Sequence, residues 1–383
     1  MKRAKGLVLK MPASVIPMAA IPALAIPALL FAGTMRAADA PVVVTSIKPI
    51  HSLVAAIMQG VGEPELIVDG SASPHTYSLK PSNARALQDA KVIFWVGPGL
   101  EAFLEKPLQA LGSDASIAAL DDAPGLVKLP FREGGAFEAH DDDAPEHDSA
   151  SPEHDSASPE HDSASPEHDS ASPEHDSASP EHDSASGHHE AEAAYGAEAD
   201  HDHGHDDHDH GAFDTHLWLD PMNAKAMASE ITTTLVAADP ANALTYQANA
   251  KALDDRLTAL DKEIAATVAT VKDKPFIVFH DAYQYFEHRY GIRVAGSITV
   301  SPETIPGAER VSEIHRKVGE LGATCVFAEP QFEPRLIDVV IEGTSAKSGV
   351  LDPEAATLKT GPDLYFTLMR GIANSMKDCL SSA

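Results

Sequence analysis

The chain has 383 residues, with 58 acidic against 28 basic side chains and a formal charge of −30. That balance argues against nucleic-acid partners, and the length suits two domains better than one. After residue 40 no apolar run reaches the roughly 18 residues needed to span a bilayer.

Residues 1–40 have the order of a secretory signal. Lys2, Arg3 and Lys5 come first, then a Pro-interrupted apolar run to Phe31, then Ala37-Ala38-Asp39-Ala40. The mature protein is therefore expected to be soluble and exported. The β-branched run at 42–47 then reads as a buried strand, and Pro49 opens a helix that ends before Gly60. Leu66–Val68 is a second short strand, followed by a loop containing Ser73-Pro74-His75-Thr76, and Pro81 starts the next helix. Val92–Val96 is a third strand, a helix covers Leu100–Leu111, and Ile117–Leu120 supplies a fourth strand. Strands alternating with helices indicate parallel βαβ units.

The stretch at 131–212 interrupts this pattern. Six copies of Pro-Glu-His-Asp repeat every seven residues and lead into a dense His/Asp run. The stretch holds 25 acidic residues and one arginine, a net of −24, so the acidity of the chain belongs mainly to it. With almost no large apolar residues and a proline in every repeat, it is expected to be a disordered insert. Fourteen of the twenty histidines lie in it: His140, His147, His154, His161, His168, His175, His182, His188, His189, His201, His203, His205, His208 and His210. Imidazole is a favoured ligand for Zn, Cu and Ni, so these form a candidate set of secondary metal sites.

The fold resumes at His216–Leu219, read as a strand, and a helix at Asn223–Val236. Beyond Pro240 no Gly or Pro interrupts the chain to Lys274, and Leu253, Leu257, Leu260, Ile264, Val268 and Val271 form one stripe. This spacing predicts a long, stiff linking helix at 239–272. The second half repeats the alternation: strands at Phe276–Phe279, Ile292–Ile298, Cys325–Ala328 and Val350–Asp352, with intervening helices and a last one over Leu364–Cys379. The expected organisation is a first α/β domain at 41–238 carrying the insert, the linking helix, and a second α/β domain at 273–383. Cys325 and Cys379 are the two cysteines, and export favours a disulfide between them, worth about 4 kcal/mol in the chain-entropy model.

His75, His216 and His280 each sit where a strand ends or meets a loop. Open α/β sheets bind ligands beyond the carboxyl ends of their strands, so two facing domains could bring the three imidazoles together. Asp352 could complete a tetrahedron around Zn²⁺. A Mn²⁺ or Fe²⁺ site would be richer in carboxylates. A zinc hydrolase would need a placed base; there is no His-Glu-x-x-His, and Asp281 is the residue that reading would use. His51 is an outlying candidate, while His288 and His315 read as solvated helix residues.

Seven motifs carry a family resemblance. They are Val44-Thr45-Ser46-Ile47-Lys48-Pro49, His75-Thr76-Tyr77-Ser78-Leu79-Lys80-Pro81-Ser82, Trp95-Val96-Gly97-Pro98, His216-Leu217-Trp218-Leu219-Asp220-Pro221, Phe279-His280-Asp281-Ala282-Tyr283, Phe327-Ala328-Glu329-Pro330-Gln331-Phe332 and Leu351-Asp352-Pro353. In this order they resemble the zinc-binding component of bacterial ABC zinc importers, the ZnuA-like solute-binding proteins, over about Val42–Cys379. The resemblance implies two (βα)₄ domains joined by one long rigid α-helix, with the metal in the interdomain cleft. It implies three histidine ligands at His75, His216 and His280, with Asp352 or a water as the fourth, and a Cys325–Cys379 disulfide. It further implies a periplasmic, non-enzymatic monomer that delivers Zn²⁺ to an inner-membrane ABC permease with its cytoplasmic ATPase. The His-rich insert would capture or buffer zinc. Some relatives carry Glu immediately before the first ligand histidine; Pro74 stands there and has no ligand atom.

Overall fold

The first half is organised on β1 (Val43–Thr45), β2 (Glu65–Leu66), β3 (Val92–Trp95) and β4 (Ser116–Ala119), all parallel in the order β2-β1-β3-β4. Every residue of β1 and β3 is buried, as continuous β-branched and aromatic runs require when helices cover both faces. Those helices are α1 (Lys48–Ile57), α2 (Pro81–Asp89), α3 (Ala102–Leu111) and α4 (Pro221–Ala238). The computed structural model describes residues 40–132, 137, 213–299, 306–320, 322, 325–332 and 335–381. Residues 1–39, where the secretory signal is expected, and the fourteen insert histidines lie outside the described residues.

The second half repeats the topology. Strands β5 (Phe276–His280), β6 (Val294–Thr299), β7 (Cys325–Ala328) and β8 (Lys347–Val350) are parallel in the order β6-β5-β7-β8. Between the halves lies α5 (Ala243–Val268), and α6 (Gln284–Tyr290), α7 (Ala308–Glu320), α8 (Arg335–Ile341) and α9 (Leu364–Ser381) follow. The linking helix is shorter than its sequence pattern suggests. Pro240–Asn242 forms a 3-10 turn first, and after Val268 the bonds from Val271 to Val268 and from Lys274 to Val271 tighten the chain into turns. Its 26 residues span about 39 Å.

Proline placement explains several of the motifs as helix starts. Pro49, Pro81 and Pro221 each occupy a first-turn position, where a missing N–H costs nothing. Asp220 caps α4 by accepting from Met222 N–H at 2.7 Å, and Asn83 accepts from Lys80 N–H at 3.0 Å. The stripe Tyr246, Leu253, Leu257, Leu260, Ile264 and Val268 is buried, and α5 packs on α1 and α4 of one half and on α9 of the other. One continuous core therefore runs from Val44 and Ile50 through Leu257 to Phe276 and Tyr365. The linker is part of that core. Cys325 on β7 is bonded to Cys379 on α9, tying the last helix to the second sheet.

In a sheet of this order, successive connections leave in opposite directions between β1 and β3, and a crevice opens there. In the first half it is plugged. Glu101 accepts hydrogen bonds from Val96 N–H (2.8 Å) and Gly97 N–H (3.1 Å) at the end of β3. Gly97 has φ +152°, and a Cβ there would come within 2.1 Å of the Asp121 carboxylate, so the close approach needs glycine. Burial pushes the Glu101 carboxyl up to about 7 from an ordinary 4.5. A raised acid stabilises the fold fully below about pH 4.5 and loses that contribution as pH rises through 7. The loss is about 3 kcal/mol at 1.36 kcal/mol per pH unit. Urea unfolding of the metal-free protein at pH 4.5 and 7 should show Glu101→Gln less pH-sensitive than wild type by that order. Equal sensitivity would show that the Glu101 pKa is not raised in the folded state.

Candidate metal centre

His280 is the last residue of β5 and is buried. His75 sits in a 3-10 turn, Pro74–Thr76, where Ser73 Oγ accepts from His75 N–H at 3.3 Å. His216 departs from the sequence reading. Leu217–Leu219 is a 3-10 turn with His216 at its N-cap, and no strand forms there. All three turn residues are fully buried, so the side-chain pattern carries no alternation, and Asp220-Pro221 begins α4 at once. No length remains for a ladder.

The structure brings these three histidines together. Their ring centroids lie 5.4 Å (His75–His216), 5.8 Å (His75–His280) and 5.2 Å (His216–His280) apart. One nitrogen from each falls within 4.8 Å of the other two. His216 Nε2 and His280 Nε2 are 3.3 Å apart. Two donors at about 2.0–2.1 Å from a tetrahedral zinc are separated by about 3.3 Å, so this pair already has the spacing of an occupied site.

Carboxylates hold two of the rings. His216 Nδ1 is 2.7 Å from Asp214 Oδ1, which also accepts His216 N–H at 2.9 Å. His280 Nδ1 lies 2.7–2.8 Å from both oxygens of Glu329, which follows β7; Tyr283 OH donates to the same carboxylate at 3.2 Å. The His280–Glu329 contact thus spans the crevice between β5 and β7, where the second sheet changes direction. A carboxylate on Nδ1 fixes the proton there and leaves Nε2 as the ligand atom. Burial, the largest single influence, would lower the His280 pKa, but the charge and hydrogen bond of Glu329 together with the charges of Glu354 and Asp281 outweigh it, and the net shift is upward. At His75, burial followed by its two imidazole neighbours holds the pKa well below 6.5.

Asp352 does not join the trio. Its carboxylate accepts from Ala356 N–H (2.8 Å), Thr357 N–H (3.2 Å) and Thr357 Oγ1 (3.2 Å), capping the segment after β8. Glu354 Oε1 lies 3.9 Å from His75 Nε2. Burial pushes the Glu354 carboxyl up to about 8. Asp281 is clamped by Arg132, which also binds Glu287, so it is not placed as a hydrolytic base. His51 is buried in α1 with Nε2 3.1 Å from Pro64 O, away from the trio. His288 is exposed, whereas His315 is half-buried and bonded to Val340 O at 3.0 Å rather than solvated. Sequence reading missed Asp214 and Glu329 as partners of the histidines, and Glu354 as a neighbour of His75. Asp214 stands two residues before His216, and Glu329 lies inside a quoted motif, but neither spacing by itself says which histidine a carboxylate will meet.

A family profile described as "Zinc-uptake complex component A periplasmic" matches residues 43–379. The chain belongs to the ZnuA family. The high-affinity zinc uptake system protein ZnuA of Brucella suis is 56% identical over 351 residues, covering 92% of this chain and 95% of the relative. The protein of that name from Paracoccus denitrificans is 38% identical over 346 residues, covering 90% and 93%. A crystal structure of ZnuA superposes with a TM-score of 0.63 at 21% identity, covering 89% of this chain and all of that one. The periplasmic zinc-binding protein TroA of Treponema pallidum gives 0.63 at 17% identity, with coverage of 89% and 99%. At these identities the two structures show the fold: paired parallel α/β sheets of the solute-binding type. The family is a transport component that binds its cargo and is described as periplasmic, which makes this member an exported one.

Proposed function

We propose that this chain captures Zn²⁺ in the periplasm through His75, His216 and His280 and delivers it to an inner-membrane ABC permease driven by a cytoplasmic ATPase. The observation that carries the reading is the 3.3 Å Nε2–Nε2 spacing of two buried imidazoles, each held by a carboxylate. Three nitrogens suit zinc better than manganese, and no reaction is involved. Solute delivery needs one chain per ion, so a monomer suffices.

The insert of fourteen histidines begins and ends at this site. Asp214 N–H bonds Leu129 O at 2.9 Å, so the chain leaves and re-enters beside His216, and Tyr285 OH bridges Leu129 N–H (3.1 Å) and Asp214 O (2.6 Å). An ion held in the insert is thereby at high effective concentration for the cleft. With almost no large apolar side chains to hold a preformed pocket, the insert's sites bind more weakly than the cleft does. Deleting Glu133–Gly211 should leave one tight zinc per chain, remove several weaker ones and slow uptake chiefly when zinc is scarce. Metal content by mass spectrometry and chelator-limited growth measure both. Loss of the tight ion on deletion would show that the insert supplies a core ligand; unchanged stoichiometry and uptake would reduce it to a solvated spacer.

A further inference from the structure

Glu354 lies four residues beyond β8, on a segment that the rest of the molecule holds from several sides. Lys48, at the head of α1 in the other half and only 5% exposed, donates from Nζ to the carbonyls of Ala355 (3.1 Å), Ala356 (2.8 Å) and Leu358 (3.2 Å). Trp218, two residues after His216, donates from Nε1 to Pro353 O at 2.9 Å. Asp352 binds the N–H groups of Ala356 and Thr357 from within. Among the described residues Ala355 is the non-glycine with positive φ, at 58°. A left-handed alanine costs about 1–2 kcal/mol and persists only where its surroundings enforce it.

The product of this clamping is the placement of one side chain. Glu354 is 7% exposed; Gln331 Nε2 donates to its Oε2 at 3.3 Å, and its Oε1 faces His75 Nε2 at 3.9 Å. No lysine or arginine pairs with it among the described residues. An acid buried without such a partner is costly unless something else supplies positive charge. A divalent cation held by the adjacent imidazoles would do so. The 3.9 Å separation from His75 exceeds the edge of a zinc tetrahedron by about half an ångström, and Glu354 stands outside the 4.8 Å group that the three imidazoles form, so the carboxylate has to turn further inward to reach the ion.

We propose that Glu354 is the fourth zinc donor of this chain, and that Asp352, occupied with backbone N–H groups, acts as the positioning residue that aims it. The assignment rests on the reading of the three histidines as the zinc site. It gives the strained segment a role, and it puts a carboxylate beside His75, where Pro74 offers none. It also ties the ion to Lys48 and Trp218 of the first half through one short segment.

The test is a crystal structure of the zinc-loaded full chain, together with chelator competition on Glu354→Ala, Glu354→Gln and Asp352→Asn, each checked for folding by circular dichroism. Expected are a Glu354 oxygen at about 2.0–2.2 Å from the ion, Asp352 still on Ala356 and Thr357, and an affinity loss of at least about 10-fold in Glu354→Ala. Glu354→Gln should lose most of the same affinity while melting like wild type. A water or an Asp352 oxygen in the fourth position overturns the proposal, as does a folded Glu354→Ala within twofold of wild type. If a variant does not fold, the wild-type structure decides. Zinc found away from the three histidines would instead refute the underlying site and this assignment with it.

Discussion

Replacing His75, His216 or His280 by alanine lowers zinc affinity by at least about 100-fold. The estimate starts from the 10–100-fold cost of removing a residue that only orients a ligand; removing the ligand itself exceeds that. The three losses need not be equal. His216 and His280 are each fixed by a carboxylate at 2.7–2.8 Å and already stand at zinc spacing, whereas His75 arrives on a short 3-10 turn. Asp214→Asn and Glu329→Gln should fall in the intermediate range, since each leaves the nitrogen ligand present but less firmly aimed. Competition against a zinc chelator measures all five. Full affinity in any one histidine variant removes that residue from the site, and a loss from Asp214→Asn as large as from His216→Ala would mean that Asp214 does more than orient.

Acidification from pH 7.5 to 5.5 weakens binding by more than about tenfold through His280 alone. Its pKa lies above the ordinary 6.5 because, although burial opposes it, the Glu329 charge favours the imidazolium. Zinc requires the neutral ring, so as pH falls through that raised pKa a proton competes with the ion, at tenfold per pH unit. His75 contributes little in this window. Burial, and then its two imidazole neighbours, hold its pKa well below 6.5. Glu329→Gln removes the charge and should move the pH dependence to lower pH. Chelator-competition affinities at half-unit intervals would show both. A constant affinity over the range would exclude a site built on His280.

Much of this protein was written in residue order. The two runs of alternating strands and helices, the proline and Asp-Pro helix starts, the α5 stripe and the cysteine pair are local or composition-level signals. They survive because burial at fixed periodicity and fixed proline φ act over a few residues. The three histidines were legible for a related reason: each closes a short motif at a strand end or turn, where an α/β fold places its ligands. Reading His216–Leu219 as a strand failed on the same ground. Three consecutive apolar residues look alike in a buried strand and in a buried 3-10 turn, and only the absence of a neighbouring ladder separates them.

The partners of those histidines are set by distance through space. Glu329 is 49 residues from His280 and reaches it only because β5 and β7 are neighbours in the sheet. Lys48 binds carbonyls more than 300 residues away. In a linear reading the fourth ligand was Asp352 or a water, Asp352 because it follows a strand and bears a carboxylate. Tertiary structure gives its oxygens to Ala356 and Thr357 and turns Glu354 toward His75 instead. Sequence alone determined which residues could bind zinc, because ligand chemistry belongs to the side chain. Which of two carboxylates two residues apart turns toward His75 was decided by the fold, which gives Asp352 to the N–H groups beyond the left-handed Ala355 and leaves Glu354 beside the imidazole.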